Sequence, residues 1–524
     1  MSTDEALQWL VLTGSPEERF SQWQAQTGGF DVDKLLFTEA AGRQLPQSKS
    51  EHTSGWIKAQ LRIAKNITSP ATSDALRLAY AAWDAAATAS ARFRRDQASP
   101  LPLGCHSLAA MGVHTRSGEV LHGRSFDGVL LGGKEWRENI DRVQLVLHRQ
   151  RRKKSYLAVH HLGAFLPGMS AVNEAGLSLT AHAVATRETS EYGCAALPIF
   201  ERILQECSGL RGAEEVLRRQ RYASGWLVVL AHAESKTISL MELDAKGATK
   251  VRRRGEFIAA AQGFRSEKQA KSFAPSDLLR EREWSRIHLL NGIARRGDLD
   301  AQGLLQHLQD DKDAYDPSSR IPFGNTLQDY THSDSVVFDV ANDALWLRTG
   351  HHPRLNKTLR LNLSSLFNRN VVVNNQTTDD SSNSTLEARL LFDGLTTFKL
   401  PELRDSAKML LSVHSKRSSM VSGVLTNLHF LDDEIDQALH FSEAALLNCS
   451  SPYREGALYL LRARSFDLLG KRSQARQAYA DVLLAIDATH PSLFKRAKRG
   501  RRRAFSRREL PMLRFWAEVA DVVN

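Results

Sequence analysis

The stretch that most constrains this chain is Leu103-Gly104-Cys105-His106-Ser107, together with the run from Ser107 to Asp127. Ser107 to His114 (SLAAMGVH) is apolar enough to be a buried strand. Thr115-Arg116-Ser117-Gly118 is a turn, and Glu119 to Gly123 (EVLHG) is a returning strand that leads into Arg124-Ser125-Phe126-Asp127. Such a hairpin brings Arg124 and Asp127 back toward Cys105. A free cysteine is mostly thiol at neutral pH and needs a base to become a nucleophile. Cutting the Gly104–Cys105 bond would supply one, because an α-amino group has a pKa of roughly 7.7–8.0, near the operating pH where a general base works best. Gly104 lacks a Cβ, so a thiol can approach its carbonyl and the backbone can take a strained geometry. The cut expected here is an N→S acyl shift followed by hydrolysis of the thioester. In that scheme Arg124 lowers the thiol pKa, and Asp127 holds the new α-ammonium or the arginine.

The order Gly104-Cys105-His106-Ser107, then Gly123-Arg124-Ser125-Phe126-Asp127-Gly128, then Val172-Asn173-Glu174-Ala175-Gly176-Leu177 resembles the isopenicillin N acyltransferase family. More distantly it resembles the choloylglycine hydrolases, which share a cysteine, an R-x-x-D pair and an N-E-x-G-L turn. The resemblance runs from about Pro100 to Leu363 and implies an N-terminal-nucleophile hydrolase: an α+β fold in four αββα layers, acting on linear, non-peptide amide bonds. Residue by residue, it implies that Cys105 is the nucleophile, that Arg124 and Asp127 flank it, and that Asn173 helps build the oxyanion hole. His106 stands where the family has a small hydroxyl residue. A second family asparagine, in a T-N-H-F-like stretch, corresponds here to Ala260-Ala261-Gln262-Gly263-Phe264. Gln262 also offers an amide N–H, one methylene further out, and a misplaced oxyanion donor costs about a hundred- to a thousandfold in rate.

A chain of 524 residues has room for about two to four domains. Residues 1–104 read as a helical, propeptide-like segment, with Ala6, Leu7, Leu10 and Val11 at helical spacing and a helix from Ala75 to Arg95 capped by Asp74. In the resembling family this region is a propeptide that can stay bound after the cut; a helical docking domain is the other reading. Residues 105–373 are strand-rich and form the hydrolase domain, since two sheets with outer helices fit the order better than a βαβ repeat. Residues 374–384 (NNQTTDDSSNS) read as a polar linker. Residues 385–494 turn helical, and Gln437–Leu447 aligns with Gln474–Leu484 at an offset of 37 residues, near the 34 of a tetratricopeptide repeat. Ala463, Phe466, Gly470, Ala475 and Tyr479 fall where such a repeat has packing residues. A plain helical bundle is the alternative.

Residues 495–524 form a basic tail containing Lys495-Arg496-Ala497-Lys498-Arg499-Gly500-Arg501-Arg502-Arg503, which reads as a solvated arm. Its run carries no interleaved aromatics, so no specific nucleic-acid site is expected, although the net charge of +11 permits acidic partners. Four cysteines do not make a disulfide framework. No signal peptide and no apolar run of about 18 residues is evident, so a cytoplasmic protein without a membrane span is expected. His160-His161 and His351-His352 are adjacent pairs whose rings diverge in a strand, so no metal is expected. No phosphate-binding loop or dinucleotide fingerprint is present, so no cofactor is expected.

Each candidate also has a plain structural reading. Cys105 alone would be an inert buried thiol, Arg124 and Asp127 a structural salt bridge, and Asn173 a turn residue before Gly176. Two functions fit these residues. In the first, the chain is an autoprocessing cysteine amidohydrolase or acyltransferase that takes a small-molecule amide or acyl donor through a thioester on Cys105, with Asn173 and Gln262 on the oxyanion. In the second, it is a weakened hydrolase core that binds a protein partner through its C-terminal helices, a reading favoured by His106 and Gln262.

Overall fold

The computed structural model describes residues 7–27, 62–68, 73–93, 105–127, 143–161, 165–251, 255–273, 277–310, 312–315, 325–328, 332–351, 354–369, 373–377, 405, 408, 418–447, 449–486 and 490–510. Gly104, most of the linker and the last fourteen positions, 511–524, lie outside these residues.

The strands, in chain order, are β1 Leu7–Thr13, β2 Cys105–Ala110, β3 Leu121–Asp127, β4 Val143–Arg149, β5 Tyr156–His161, β6 Ser170–Asn173, β7 Leu177–Val184 and β8 Gly225–His232. They continue as β9 Thr237–Asp244, β10 Gly247–Lys250, β11 Phe257–Ala260, β12 His332–Asp339, β13 Ala344–His351, β14 Arg354–Asn362 and β15 Val373–Thr377. One sheet has the order β1-β4-β5-β6-β7-β8-β9-β10, and the other β11-β2-β3-β12-β13-β14-β15. The chain is thus α+β with two sheets, as its strand-rich middle leads one to expect.

Alternation along the strands shows how the sheets meet. In β8 (GWLVVLAH), Trp226, Val228 and Leu230 pack with Phe200, Ile203 and Leu204 of the Ala196–Glu206 helix. Leu227, Val229 and Ala231 pack with Ala109, Ile258 and Ala260 of the second sheet. A strand covered on both faces needs apolar residues at every position, which explains its unbroken apolar run. On the second sheet, Val336, Phe338, Leu345 and Leu347 join Val143, Leu145 and Leu147 across the gap. Val337, Ala344 and Leu108 turn outward onto Leu290, Ile293 and Leu304 of the Asp277–Ala294 and Ala301–His307 helices. Each large apolar side chain removed from water contributes about 1.5–3 kcal/mol, so both faces of both sheets stabilise the fold.

The leading segment departs from the helical expectation. Leu7–Thr13 (LQWLVLT) is strand β1, parallel to β4 in register from Leu7↔Val143 to Thr13↔Arg149. Short apolar runs do not separate helix from strand by spacing, and here an open sheet edge decides. The segment is built deep into the molecule. Arg19, fully buried, forms an ion pair with Glu201, which also accepts hydrogen bonds from Tyr80 and, at 2.7 Å, from Tyr156. Trp23 Nε1 donates to Gln144 at 2.8 Å. Asp84 accepts from the Ala196 N–H at 2.9 Å at the start of the Ala196–Glu206 helix, where an anion is favoured. The helix expected from Ala75 is Asp74–Phe93, and the Ser73 hydroxyl, rather than the Asp74 carboxylate, accepts from an N–H of its first turn.

Two further expectations are corrected. Asn374–Thr377, read as linker, belongs to β15, which pairs with β14 from Leu361↔Val373 to Lys357↔Thr377; an edge strand pairs through its backbone and tolerates polar side chains. The basic run is helical rather than a loose arm, with its basic side chains exposed. Residues 495–502 lie in the Pro491–Arg502 helix, with Leu493, Ala497 and Gly500 buried. The C-terminal helices Ser418–Leu431, Ile435–Leu446, Pro452–Leu468, Arg472–Ala485 and Pro491–Arg502 pack in succession. Gly470 turns the chain at φ +73°, and Ala463, Ala475 and Tyr479 are buried between helices. This unit meets the Asp277–Ala294 helix through Glu281, which contacts Ser451 at 3.3 Å and His490 at 3.1 Å.

Candidate active site

Cys105 is the first residue of β2, and the expected hairpin forms, with Cys105↔Phe126 and Ser107↔Arg124 in register. Cross-strand partners share a face, so Cys105, Ser107 and Arg124 all point between the sheets. The Arg124 Nη2 donates to Cys105 Sγ at 3.1 Å and to the Ala181 carbonyl at 3.1 Å, while Nη1 donates to the Ser170 hydroxyl. Burial pushes the Cys105 thiol up, and the Arg124 guanidinium opposes that push without cancelling it. The sulfur is therefore a thiol held against a cation. It is 2 % exposed.

Asp127 is elsewhere. Three residues after Arg124 on the same strand, it points to the outer face. Its carboxylate lies 2.6 Å from Arg286 of the Asp277–Ala294 helix and 3.4 Å from His332 Nδ1. Burial pushes this carboxyl up, yet Arg286 and His332 hold it well below the usual carboxylate range. Arg124 and Asp127 therefore do not form the salt bridge that their spacing suggested, since residues an odd number apart in a strand face opposite ways.

Gln262 lies just past the end of β11. The last pair of β11 with β2 is Ala260 with Ser107, so Gln262 follows at the Cys105 end of that ladder. Its Nε2 lies 3.5 Å from the Ala183 carbonyl, a distance that makes a weak hydrogen bond at best.

Asn173 does not have the freedom an oxyanion donor needs. Both its N–H bonds are engaged, on the carbonyls of Leu204 and Cys207 at 2.9 Å each, and its oxygen accepts from the Ala175 and Leu177 N–H groups at 3.1 and 3.0 Å. A side-chain amide has two donors and one acceptor oxygen, and here all are used to tie the β6–β7 turn to the end of the Ala196–Glu206 helix. The turn reading is the one this geometry carries.

Sequence reasoning passed over the polar surroundings of the thiol. Ser107 meets Thr180 at 2.9 Å and His182 at 2.8 Å, and His122 meets Ser178 at 2.8 Å and Thr180 at 3.0 Å. Burial, reinforced by Arg124, drives His122 down to about 3 and His182 well below its ordinary value, so both rings are neutral. The signal was legible: Ser178, Thr180 and His182 alternate with Leu177, Leu179 and Ala181 in one strand. His106 turns outward and meets the Leu308 carbonyl at 3.0 Å. His160 and His161 diverge as neighbours in a strand must, toward His148 at 3.1 Å and Asp334 at 2.9 Å respectively. Among the described residues no group of three His, Cys, Asp or Glu could hold a metal ion, and no helix is long and apolar enough to cross a membrane.

No protein-family model matches the chain, and no curated protein matches it. Among solved structures it is similar to the Caenorhabditis elegans ortholog of N-acylethanolamine-hydrolyzing acid amidase, at 13 % identity over 45 % of this chain and 96 % of that one, with a TM-score of 0.31. It is also similar to penicillin V acylase from Agrobacterium tumefaciens, at 11 % identity over 50 % of this chain and 86 % of that one, with a TM-score of 0.30.

Proposed function

We propose that this chain is an N-terminal-nucleophile hydrolase with αββα layers, which cuts itself before Cys105 and then acts on linear, non-peptide amide bonds. The observation that carries the reading is the Arg124 guanidinium donating to the sulfur of the first residue of β2, at 3.1 Å. In self-cleavage the Cys105 sulfur attacks the Gly104 carbonyl carbon, and the peptide nitrogen leaves as the α-amine. Water then splits the thioester into a Gly104 carboxylate and a free Cys105 thiol. In turnover that α-amine takes the thiol proton as the sulfur attacks a substrate amide carbonyl, and returns it to the departing amine. Arg124 stabilises the thiolate, and Gln262 donates to the developing oxyanion. Asp127 keeps its place through Arg286 and supports the β2–β3 end from behind. Water or a second amine releases the acyl group, giving hydrolysis or acyl transfer.

Intact-mass measurement and a denaturing gel test this directly. The wild-type chain is expected as two pieces, one ending at Gly104 and one beginning at Cys105, and Cys105→Ala as one. A wild-type chain that stays whole on incubation, indistinguishable from Cys105→Ala, overturns the reading.

A second reading has its own observation. The sulfur is 2 % exposed within an apolar cluster that includes Phe126, Phe165 and Met169, as expected of a core that has lost its chemistry and serves as a scaffold for the tetratricopeptide-like helices. The persistent single chain is the outcome that favours it.

A further inference from the structure

Cys105, Phe126 and Asp334 occupy one cross-strand row of the second sheet, since β3 pairs Phe126 with Cys105 on one side and with Asp334 on the other. All three point between the sheets. From the opposite sheet comes His161, the last residue of β5. Its Nε2 lies 2.9 Å from Asp334 Oδ2, and its ring stacks on Phe126 with centroids 4.7 Å apart and planes 27° apart. His161 and Asp334 are each 1 % exposed. The Phe126 ring in turn carries the Arg124 guanidinium carbon 5.0 Å from its centroid, within cation–π range. Arg124 ends on the sulfur.

The chain of contacts is therefore Asp334, His161, Phe126, Arg124, Cys105. A pair buried this deeply is weak evidence for stability alone, because well-packed apolar residues often do as well. What an apolar pair would not supply is direction. The carboxylate, 2.9 Å from Nε2, draws that edge of the imidazole toward β12, and the imidazole face lies on Phe126.

We propose that His161 and Asp334 are positioning residues for the nucleophile: through Phe126 they hold the Arg124 guanidinium on the Cys105 sulfur. The catalytic consequence rests on the function proposed above; the positioning itself is read on the thiol, whether or not the chain is cut.

The sign of the effect separates positioning from plain charge. Asp334 lies two strands from Cys105, about 10 Å at the usual strand spacing. Removing its negative charge through space favours the thiolate and moves thiol ionisation to lower pH. Releasing Arg124 moves it to higher pH. The experiment tracks alkylation of Cys105 by iodoacetamide against pH, by mass of the Cys105-containing peptide, on the uncut fraction of wild type, Asp334→Asn, Phe126→Leu and Arg124→Gln. Asp334→Asn and Phe126→Leu are expected to behave like Arg124→Gln, with the alkylation midpoint at higher pH and the rate at about pH 8 reduced about threefold or more. A midpoint in Asp334→Asn that stays put or moves lower overturns the proposal. If that variant does not fold, an unmoved midpoint in Phe126→Leu, which changes no charge, overturns it. A wild-type chain that never cuts sinks the hydrolase reading while leaving this comparison readable.

Discussion

Arg124 and Asp127 stand three residues apart on one strand and serve opposite faces of it. The guanidinium lies against Cys105 between the sheets, and the carboxylate lies against Arg286 behind them. Substitution is expected to separate the two roles. Arg124→Gln slows self-cleavage about ten- to a hundredfold, matching the roughly 1.5–3 kcal/mol of a hydrogen bond to a charged group. Asp127→Asn removes the carboxylate charge that faces buried Arg286 and lowers unfolding free energy by about 3–5 kcal/mol. Cleavage time courses and urea unfolding of both variants check this; a fully stable Asp127→Asn would contradict the assignment.

Gln262 and Asn173 are expected to diverge in the same way. Gln262→Ala removes an oxyanion donor and lowers kcat by about a hundred- to a thousandfold with little change in melting temperature. Asn173→Ala leaves two carbonyls at the end of the Ala196–Glu206 helix and two N–H groups of the β6–β7 turn unmatched, so its loss appears first as a lower melting temperature. Turnover of a small amide alongside thermal unfolding distinguishes them.

Acid is expected to weaken the fold before the carboxylates titrate. Burial lowers His122 and His160 to about 3, with Arg124 adding to the effect on the first and His161 on the second. Their unfolded value is about 6.5. A histidine with a depressed folded pKa contributes stability that is fully present above about pH 6.5 and declines as pH falls toward the folded value, by roughly 1.4 kcal/mol per pH unit for each group. The contribution of Asp127, also depressed, is lost only below about pH 3.9. Melting temperatures measured from about pH 7.5 downward should fall from about pH 6.5; a flat profile to about pH 5 would contradict this.

Cutting before Cys105 is expected to leave both pieces in one particle. Arg19 and Tyr80 from the leading segment close on Glu201, and β1 completes a sheet. Native size-exclusion should give one species whose denaturing gel shows two. Glu201→Gln strands Arg19 in the core and costs about 3–5 kcal/mol, read as earlier release of the leading piece in urea. Dissociation of the wild-type pieces in buffer alone would refute the arrangement.

Much of this arrangement could be read from single positions. The hairpin that returns Arg124 to Cys105 followed from an apolar strand, a turn and a second strand. The opposite facing of Arg124 and Asp127 was also implicit, because alternation in a strand forbids an R-x-x-D pair from sharing a face. Other features needed the third dimension. Nothing local in Leu7–Thr13 marks it as a strand, because its partner β4 lies more than a hundred residues away. Nothing in Asn173 reveals that Leu204 and Cys207 take both its N–H bonds. Arg286 and Asp334 carry no motif and reach the site only through packing.

The parallel pairing of β1 with β4 has a practical consequence. A recombinant chain begun at Cys105 would present β4 as a bare sheet border from Val143 to Arg149, with Gln144 deprived of both Gln8 and Trp23. Such a border recruits strands from other molecules. The chain from Cys105 onward made on its own is therefore expected to aggregate, which would make the upstream residues a folding template encoded in the same reading frame.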